Sequence, residues 1–235
     1  MKFSNRAYRY LEKRSMGGDY IIADRKLIID YLEQKSIPAF DAIVDFQLTY
    51  SGLDLEINGA PGKTFECRLF SKQDIAIGRS IEPMIIGDKF YFDCGDHATA
   101  PFWFVISEEG KIGIYDHIDE TVNIIFSSFD KFIETYAFKD FLNCCNRFEH
   151  PYYYSISDRP GFGACTQHFF RHYTANDAYN IWLSDNKLVI HMGTWYHKQG
   201  FYIHVYGEDK TQCELFIQSL ERDKIISSVE NYKHE

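Results

Sequence analysis

The chain has 235 residues, of which 45% are apolar, 17% aromatic and 25% charged. This composition excludes a disordered chain, a collagen-like repeat and a disulfide-stabilised miniprotein, and the length is enough for one large domain or two small ones. The formal net charge is −9 and the 25 Lys and Arg residues are scattered along the chain, which disfavours nucleic acid as a direct partner.

No targeting or membrane signal is predicted. The N-terminal segment is basic but lacks the apolar stretch of a secretory signal, and no uncharged apolar run reaches the ~18–20 residues that a membrane span needs. The six cysteines are irregularly spaced, and Cys144 and Cys145 are adjacent, which makes a poor disulfide framework. We therefore expect reduced thiols in a cytoplasmic protein.

Two short helices are predicted after a basic N-terminal arm. The apolar residues of the segment 27–32 recur at helical spacing, Asp24 can cap the helix start, and Pro38 follows its end. A second helix is predicted from about Phe40 to Tyr50, where Ser51-Gly52 breaks the pattern.

From Leu53 onward the pattern changes from helical to extended. Short strands are predicted at Thr64–Phe70, Ile75–Ile77, Met84–Ile86, Lys89–Asp93, Phe102–Ser107, Lys111–Tyr115 and Val122–Phe126. Gly110 favours a tight hairpin between the fifth and sixth of these strands. The apolar spacing of residues 129–137, after Ser127 and Ser128 as candidate caps, predicts a helix that docks on the sheet.

A second part of the chain is predicted to begin near residue 147, with residues 1–146 forming the first. The second part has predicted strands at Ala178–Leu183, Lys187–Met192 and Phe201–Tyr206. A capping-box pattern from Thr211 to Glu214 opens a last helix, and Leu215, Phe216 and Leu220 are expected on its buried side. The predicted class is α+β: a helical pair, a mostly antiparallel sheet with a closing helix, and a smaller β-rich part that ends in a helix.

Alternation along the last three strands separates two faces. The first face, predicted to be core, contains Ile181, Leu183, Leu188, Ile190, Met192, Phe201, Ile203 and Val205. The second face is aromatic and amphipathic and contains Trp182, Val189, His191, Tyr202, His204 and Tyr206. Trp and Tyr are enriched both in interdomain contacts and at partner interfaces, so both interpretations stay open at this point.

Two groups of residues are candidates for chemistry. Cys165, His168 and His172 have a metal-like spacing if the segment is helical, but the segment lacks the glutamate of a zinc-protease motif and a second cysteine pair. Core or surface histidines are the preferred interpretation, so no metal and no cofactor are predicted.

The second group is Cys94-Gly95-Asp96-His97 with Asp116-His117, at the ends of consecutive predicted strands. An aspartate beside a histidine could orient an imidazole base, but the acidic neighbours do not favour a reactive thiolate and there is no serine elbow. A structural turn is the preferred interpretation, and no catalytic residue is predicted.

The order of elements in the first part resembles one known family. A helical pair with Ile37-Pro38-Ala39-Phe40-Asp41 and Tyr50-Ser51-Gly52-Leu53 precedes strands that include Phe90–Asp93 and Phe102–Ile106, and a helix follows from Ser128. This segment, roughly residues 24–145, is similar to the SUKH superfamily, the cell-wall-regulator-like proteins that include many bacterial immunity proteins. The segment after Asn146 has no recognised counterpart.

The resemblance implies a cytoplasmic binding protein without catalysis, which neutralises a toxin by occluding it. Many toxins of this kind are basic, and a net charge of −9 is compatible with such a partner. The expected partner-binding residues are aromatic anchors with acidic groups around them. These residues are Trp182, His191, Tyr202, His204, Tyr206, Asp93 and Asp96. The alternatives are a regulatory scaffold and a metal-dependent hydrolase that uses Cys165, His168 and His172.

Overall fold

The structure is a computed structural model that describes residues 3–14, 24–56, 64–79, 81–97, 103–196 and 198–227, without the side chains of residues 56, 64–66 and 95–97. The described residues form seven helices and two seven-stranded sheets. The strand pairs are antiparallel in both sheets. The predicted α+β class is therefore confirmed.

Seven helices are described along the chain. They are α1 (Asn5–Glu12), α2 (Arg25–Gln34), α3 (Asp41–Tyr50), α4 (Lys72–Ile77), α5 (Phe129–Cys144), α6 (Arg159–Cys165) and α7 (Lys210–Arg222). None of these described helices has the length and apolar character that a membrane crossing requires.

Sheet A contains the first seven strands in the order β1-β2-β4-β5-β6-β7, with β3 also paired to β4. They are β1 (Asp54–Glu56), β2 (Thr64–Cys67), β3 (Met84–Ile86), β4 (Lys89–His97), β5 (Trp103–Ser107), β6 (Ile112–Asp116) and β7 (Thr121–Phe126). Gly110 has a φ of 82° in the β5–β6 connection, which confirms the predicted hairpin.

Sheet B contains the remaining strands in the order β10-β11-β12-β13-β9-β14, with β8 also paired to β13. They are β8 (Phe148–Glu149), β9 (Tyr154–Ile156), β10 (Phe170–Arg171), β11 (Asn180–Ser184), β12 (Leu188–Thr194), β13 (Phe201–Gly207) and β14 (Ile226–Ser227). The three longest of these strands match the three predicted ones to within two residues at each end.

Two compact units make up the chain. The N-terminal unit comprises Tyr8–Phe129 and contains sheet A, and the C-terminal unit comprises Met1–Ala7 with Asp130–Glu235 and contains sheet B. The division expected at residue 146 differs from this one, because all of α5 except its first residue belongs to the C-terminal unit. The helix expected to close sheet A therefore forms part of the sheet B unit.

The predicted helical pair of the N-terminal unit is present. The Asp24 carboxylate accepts hydrogen bonds from the backbone N–H groups of Lys26 and Leu27 at 2.9 and 3.3 Å, which caps α2 as expected. Between α2 and α3, the Phe40 ring lies 5.4 Å from the Phe90 ring and 6.4 Å from the Phe92 ring. These contacts pack the helical pair against one face of sheet A.

The segment predicted as a strand at Ile75–Ile77 is helical, so that prediction is wrong. The Ser71 side chain accepts from the Asp74 N–H at 3.1 Å, and the Asp74 carboxylate accepts from the Ser71 N–H at 2.8 Å. This capping box starts α4, and Gly78 ends it in the left-handed conformation at a φ of 66°. The two end signals outweigh the strand preference of the isoleucines between them.

The N-terminal arm, for which no element was predicted, includes α1 and is attached to α5. The backbone N–H and hydroxyl of Ser4 both donate to the Glu134 carboxylate, at 2.7 and 2.8 Å. The Arg6 guanidinium lies 3.7 Å from the same carboxylate and 4.1 Å above the Phe138 ring. The buried acid of α5 is therefore paired by the start of the chain.

Sheet B is packed on both of its faces. The face predicted as core forms one apolar cluster with α6 and α7, which includes Phe162, Ile190, Ile203 and Ile217. Helix α7 begins at Lys210 after Asp209 as N-cap, two residues earlier than predicted. Its buried side is Cys213, Ile217 and Leu220, whereas Leu215 is 61% exposed, so Leu220 is placed as expected and Leu215 is not.

Candidate functional site

The predicted aromatic face of sheet B is buried. The register pairs Trp182 with His191 across β11 and β12, and His191 with His204 across β12 and β13, so the three side chains lie in one row. Trp182 is 0% exposed, and the other predicted anchors on this face, His191, Tyr202, His204 and Tyr206, are also buried. The two faces of sheet B alternate as predicted, but the aromatic face is covered and is not exposed to solvent.

Helix α5 covers this row. The Phe138 ring lies 4.6 Å from the Trp182 ring, and both belong to one apolar cluster with Leu142 and Tyr206. The Trp182 indole N–H donates to the Thr135 hydroxyl of the same helix at 3.4 Å. Partner binding by the five predicted anchors would therefore require α5 to leave the sheet, and the interpretation of this face as a free surface is corrected.

Aromatic stacking joins the covered side chains to one another. The His191 ring stacks on Trp182 at 4.1 Å with an interplanar angle of 8°. The His204 ring stacks on Tyr153 at 4.1 Å with an angle of 24°, and Tyr153 also contacts Tyr202 at 5.1 Å. The sheet therefore presents a continuous layer of rings to the helix.

The two histidines of this layer are held by fixed acceptors. His191 Nε2 donates to Asn180 Oδ1 at 3.0 Å, and His204 Nε2 donates to the backbone oxygen of His150 at 2.7 Å. His204 Nε2 also lies 3.5 Å from an oxygen of Glu149, whose side chain is half exposed. Donation from Nε2 leaves the second nitrogen of His191 unprotonated, and no described group lies within hydrogen-bonding distance of it.

The surroundings of His191 favour its neutral form. Burial lowers the pKa of His191 well below its usual value of 6.5, and the nearby charges of Lys139 and His204 lower it further. Burial also lowers the pKa of Lys139, against the opposing effect of the Glu149 carboxylate. The pKa values of His150 and His172 are lowered as well, mainly by burial. This part of the C-terminal unit is therefore built to keep imidazoles uncharged.

We expect the C-terminal unit to lose stability as the pH falls below about 6.5. Below this value the unfolded chain binds protons at histidines whose pKa is lowered in the folded chain, so stability is present above pH 6.5 and declines beneath it. Lowering the pH from 7.5 to 5.5 should therefore lower the free energy of unfolding, with His191 as the main contributor. Urea unfolding of the wild type and of His191→Gln at both pH values measures the effect. The variant should be less sensitive to pH, and equal wild-type stability at both values would contradict the expectation.

The two predicted acidic residues lie on β4 of sheet A. Asp93 is exposed and is paired in register with Val105 of β5. Asp96 is paired in register with Glu66 of β2, and its side chain lies outside the described part of the chain. The acidic residues therefore belong to the other unit from the five aromatic-face residues.

An exposed group of rings at the end of β5 and β6 was not predicted. Trp103 is 55% exposed and is paired in register with Tyr115. The Trp103 ring lies 5.9 Å from Tyr115 and 6.4 Å from His117, with interplanar angles of 27° and 29°. The three rings therefore form one aromatic platform in which the indole is about half exposed to solvent.

Acidic groups flank this platform. The Asp93–Val105 pair is two residues away along β5, where Val105 is 0% exposed and the register of β4 shifts between Asp93 and Gly95, so Asp93 is not counted with these rings. The turn after β6 carries three carboxylates within Asp116–Glu120, and Asp116 Oδ1 accepts from the Ile118 N–H at 2.8 Å. We call Trp103, Tyr115 and the turn Asp116–Glu120 the Trp103 surface.

Comparison of the chain with protein-family models, curated proteins and solved structures finds no match.

The candidate metal ligands do not share a helix. Helix α6 ends at Cys165, and Thr166 caps it, so His168 and His172 lie beyond its last turn. His168 is exposed beside the Phe169 ring, and His172 Nε2 is hydrogen-bonded to the Ser184 hydroxyl at 2.8 Å. The part of the chain that the structure describes contains no group of three or more His, Cys, Asp or Glu side chains that could hold a metal ion.

The thiol of the second candidate group is inaccessible. Cys94 is fully buried on β4, and burial raises its pKa well above the usual range, as it does for Cys67. A protonated, buried thiol is a poor nucleophile. His117, which was considered with this group, instead lies in the aromatic platform.

We expect a thiol reagent such as dithionitrobenzoate to separate the cysteines by burial. Cys144 and Cys145 are exposed at the end of α5 and should react first, whereas Cys67 and Cys94 should react only after unfolding. The absorbance of the released thionitrobenzoate gives the rate of thiol labelling. This rate is compared between the folded wild type and a Cys144→Ser/Cys145→Ser variant, which should lack the fast phase. Rapid labelling of Cys94 in the folded chain would contradict the burial described above.

Proposed function

We propose that the chain is a non-catalytic protein-binding module, an immunity protein that neutralises a cognate toxin by occluding it. The observation that carries the proposal is the Trp103 surface, in which a half-exposed indole is paired with Tyr115 next to the acidic turn Asp116–Glu120. Trp is the residue type most enriched among the energetically dominant contacts of protein interfaces. Acidic groups around such an anchor favour a basic partner and speed its association.

The net charge of −9 supports the same kind of partner. A basic toxin would be attracted over distances of about a Debye length, ~8–10 Å at physiological salt, and would then meet the local carboxylates of the Trp103 surface. An occluding protein needs shape and charge complementarity but no chemical step. This fits a surface whose rings and acids are exposed while the candidate thiol and the histidine layer are buried.

We further propose membership of the SUKH superfamily and a cytoplasmic location. The order of the helical pair α2 and α3 before an antiparallel sheet supports the first proposal. All six cysteines lie within the described residues and are free thiols, including the exposed neighbours Cys144 and Cys145, which supports a reducing compartment.

Coexpression tests the proposal. Each reading frame encoded beside the gene is expressed alone and together with this chain in a host that lacks both, and host growth is measured. We expect one neighbouring product to stop growth alone and to be tolerated when the chain is present. The purified pair should then form a one-to-one complex in which the toxin is inactive. Absence of a toxic neighbour, or toxicity that persists with the folded chain present, would overturn the proposal.

A further inference from the structure

We infer that the adjacent cysteines at the end of α5 form a two-thiol site for a trivalent arsenic compound that carries one aryl group. Cys144 is the last residue of α5 and Cys145 follows it directly, and both are exposed free thiols. The other four cysteines are buried or half-buried, and none of them has a cysteine as its neighbour in sequence. The inference goes beyond the proposed function and does not depend on it.

The end of α5 holds the backbone around the pair in one conformation. The Asn146 N–H donates to the Asn143 oxygen at 3.1 Å, and Asn146 has a left-handed φ of 52°. The Arg147 N–H donates to the Leu142 oxygen at 3.3 Å. Together these bonds form a Schellman motif, the usual end of a helix at a left-handed residue. The backbone is therefore fixed, and the two thiols face solvent beside each other.

The spacing of the pair disfavours the two commonest products of neighbouring thiols. Consecutive Cα atoms are about 3.8 Å apart, which is below the ~4.4–6.8 Å over which an unstrained disulfide forms. A structural zinc ion needs four ligands, and the described part of the chain has no group of three or more His, Cys, Asp or Glu side chains that could hold a metal ion. A ligand that inserts one atom between two sulfurs, and needs no third protein ligand, satisfies both limits.

Trivalent arsenic with one carbon substituent has two valences left for sulfur. An arsine oxide, R–As=O, reacts with two thiols to give R–As(S–Cys)2 and one water. Two As–S bonds form, the As=O bond breaks, and both thiol protons leave with the oxygen as water. Arsenic stays trivalent, so the step needs no oxidant or reductant. The second As–S bond forms within one molecule, so the pair binds much more tightly than a single exposed thiol.

Phe141 gives the site a preference for an aryl substituent. The Cys145 N–H donates to the Phe141 oxygen at 3.0 Å, and residues four apart on a helix are side-chain neighbours. The Phe141 side chain is 47% exposed, and its ring lies 6.3 Å from the buried ring of Phe138. An aryl group on the bound arsenic can therefore pack on the exposed part of the Phe141 ring.

Intact-mass spectrometry of the full chain tests this inference. The reduced protein is mixed with one equivalent of phenylarsine oxide, and competition with dithiothreitol gives the affinity. We expect one phenylarsenic adduct per chain, formed with loss of one water. Cys144→Ser and Cys145→Ser should each weaken binding at least about 100-fold, because the second As–S bond is lost. The matched control is Cys165→Ser, which removes a half-buried thiol elsewhere and should bind as the wild type does.

A comparison of phenylarsine oxide with methylarsine oxide tests the part played by Phe141. Phe141→Ala should weaken binding of the phenyl compound at least about threefold and leave binding of the methyl compound unchanged. Wild-type affinity in either single-serine variant would overturn the inference, and so would loss of the adduct in Cys165→Ser. A preference for the phenyl compound that is equal in Phe141→Ala and the wild type would overturn the assignment of an aryl ligand.

Discussion

Replacement of Trp182 by alanine is expected to lower the free energy of unfolding by about 3–5 kcal/mol, the usual cost of removing a large aromatic side chain from a core. Trp182 is fully buried between α5 and sheet B, where it contacts Phe138 and stacks on His191. Truncation would leave a cavity, remove both contacts, and free the Thr135 hydroxyl from the indole N–H.

Urea unfolding followed by fluorescence and circular dichroism measures this loss. The matched control is Tyr173→Ala, because the Tyr173 side chain is 74% exposed in the same unit and its removal should change stability by less than about 0.5 kcal/mol. A Trp182→Ala variant within about 1 kcal/mol of the wild type would mean that α5 does not cover this face, and the face would again be available for a partner.

Replacement of Trp103 by alanine is expected to weaken the complex with the toxin by at least about 2 kcal/mol, a roughly 30-fold increase in Kd. Trp103 is the largest exposed ring of the platform, and its removal takes away both the stacking area and the cation–π attraction. Because the side chain is exposed at the start of β5, the variant should keep its fold.

Isothermal titration of the purified toxin into wild type, Trp103→Ala and Tyr173→Ala measures this change. Tyr173→Ala removes an exposed ring from the other unit and should bind as the wild type does. Equal weakening in both variants, with both folded, would mean that the Trp103 surface is not the dominant contact.

Elements with strong local signals were predictable from the sequence. The two faces of sheet B follow from strict alternation, and residues such as Ile190 and Ile203 lie in the core cluster as predicted. The α2 cap at Asp24 and the Gly110 hairpin depend on side-chain and backbone geometry confined to a few residues. At these positions the conformational preference of the local sequence and the tertiary fold favour the same structure.

Errors arose where a local preference conflicted with end signals. In α4 two isoleucines favour a strand, but the Ser71–Asp74 capping box and Gly78 specify a single helical segment between them. In α7 the capping-box pattern at Thr211 predicts a start two residues too late, because Asp209 is the actual N-cap. The buried stripe of α7 follows Cys213, Ile217 and Leu220 at spacings of four and three residues, and Leu215 lies off that stripe.

The candidate site was less predictable because exposure depends on which element covers a face. Alternation shows that Trp182 and His191 share a face, but it does not show that α5 lies on it. In the structure α5 is buried nearly all round, with Glu134, Thr135 and Phe138 buried in addition to the predicted apolar stripe, and this burial is visible only once the fold is known. Likewise, the run around Trp103 reads as continuous apolar sequence, and only the fold reveals that this indole is open to solvent.

The most direct measurement of the central claim is protection of Trp103 when the complex forms. Hydroxyl-radical footprinting with mass spectrometry compares the oxidation rate of Trp103 in the free chain and in the toxin complex, with Tyr173 as an exposed internal reference. We predict that Trp103 becomes protected at least about fivefold while Tyr173 keeps its free-chain rate. An oxidation rate for Trp103 that is the same in the free chain and in the inactive toxin complex would contradict the account.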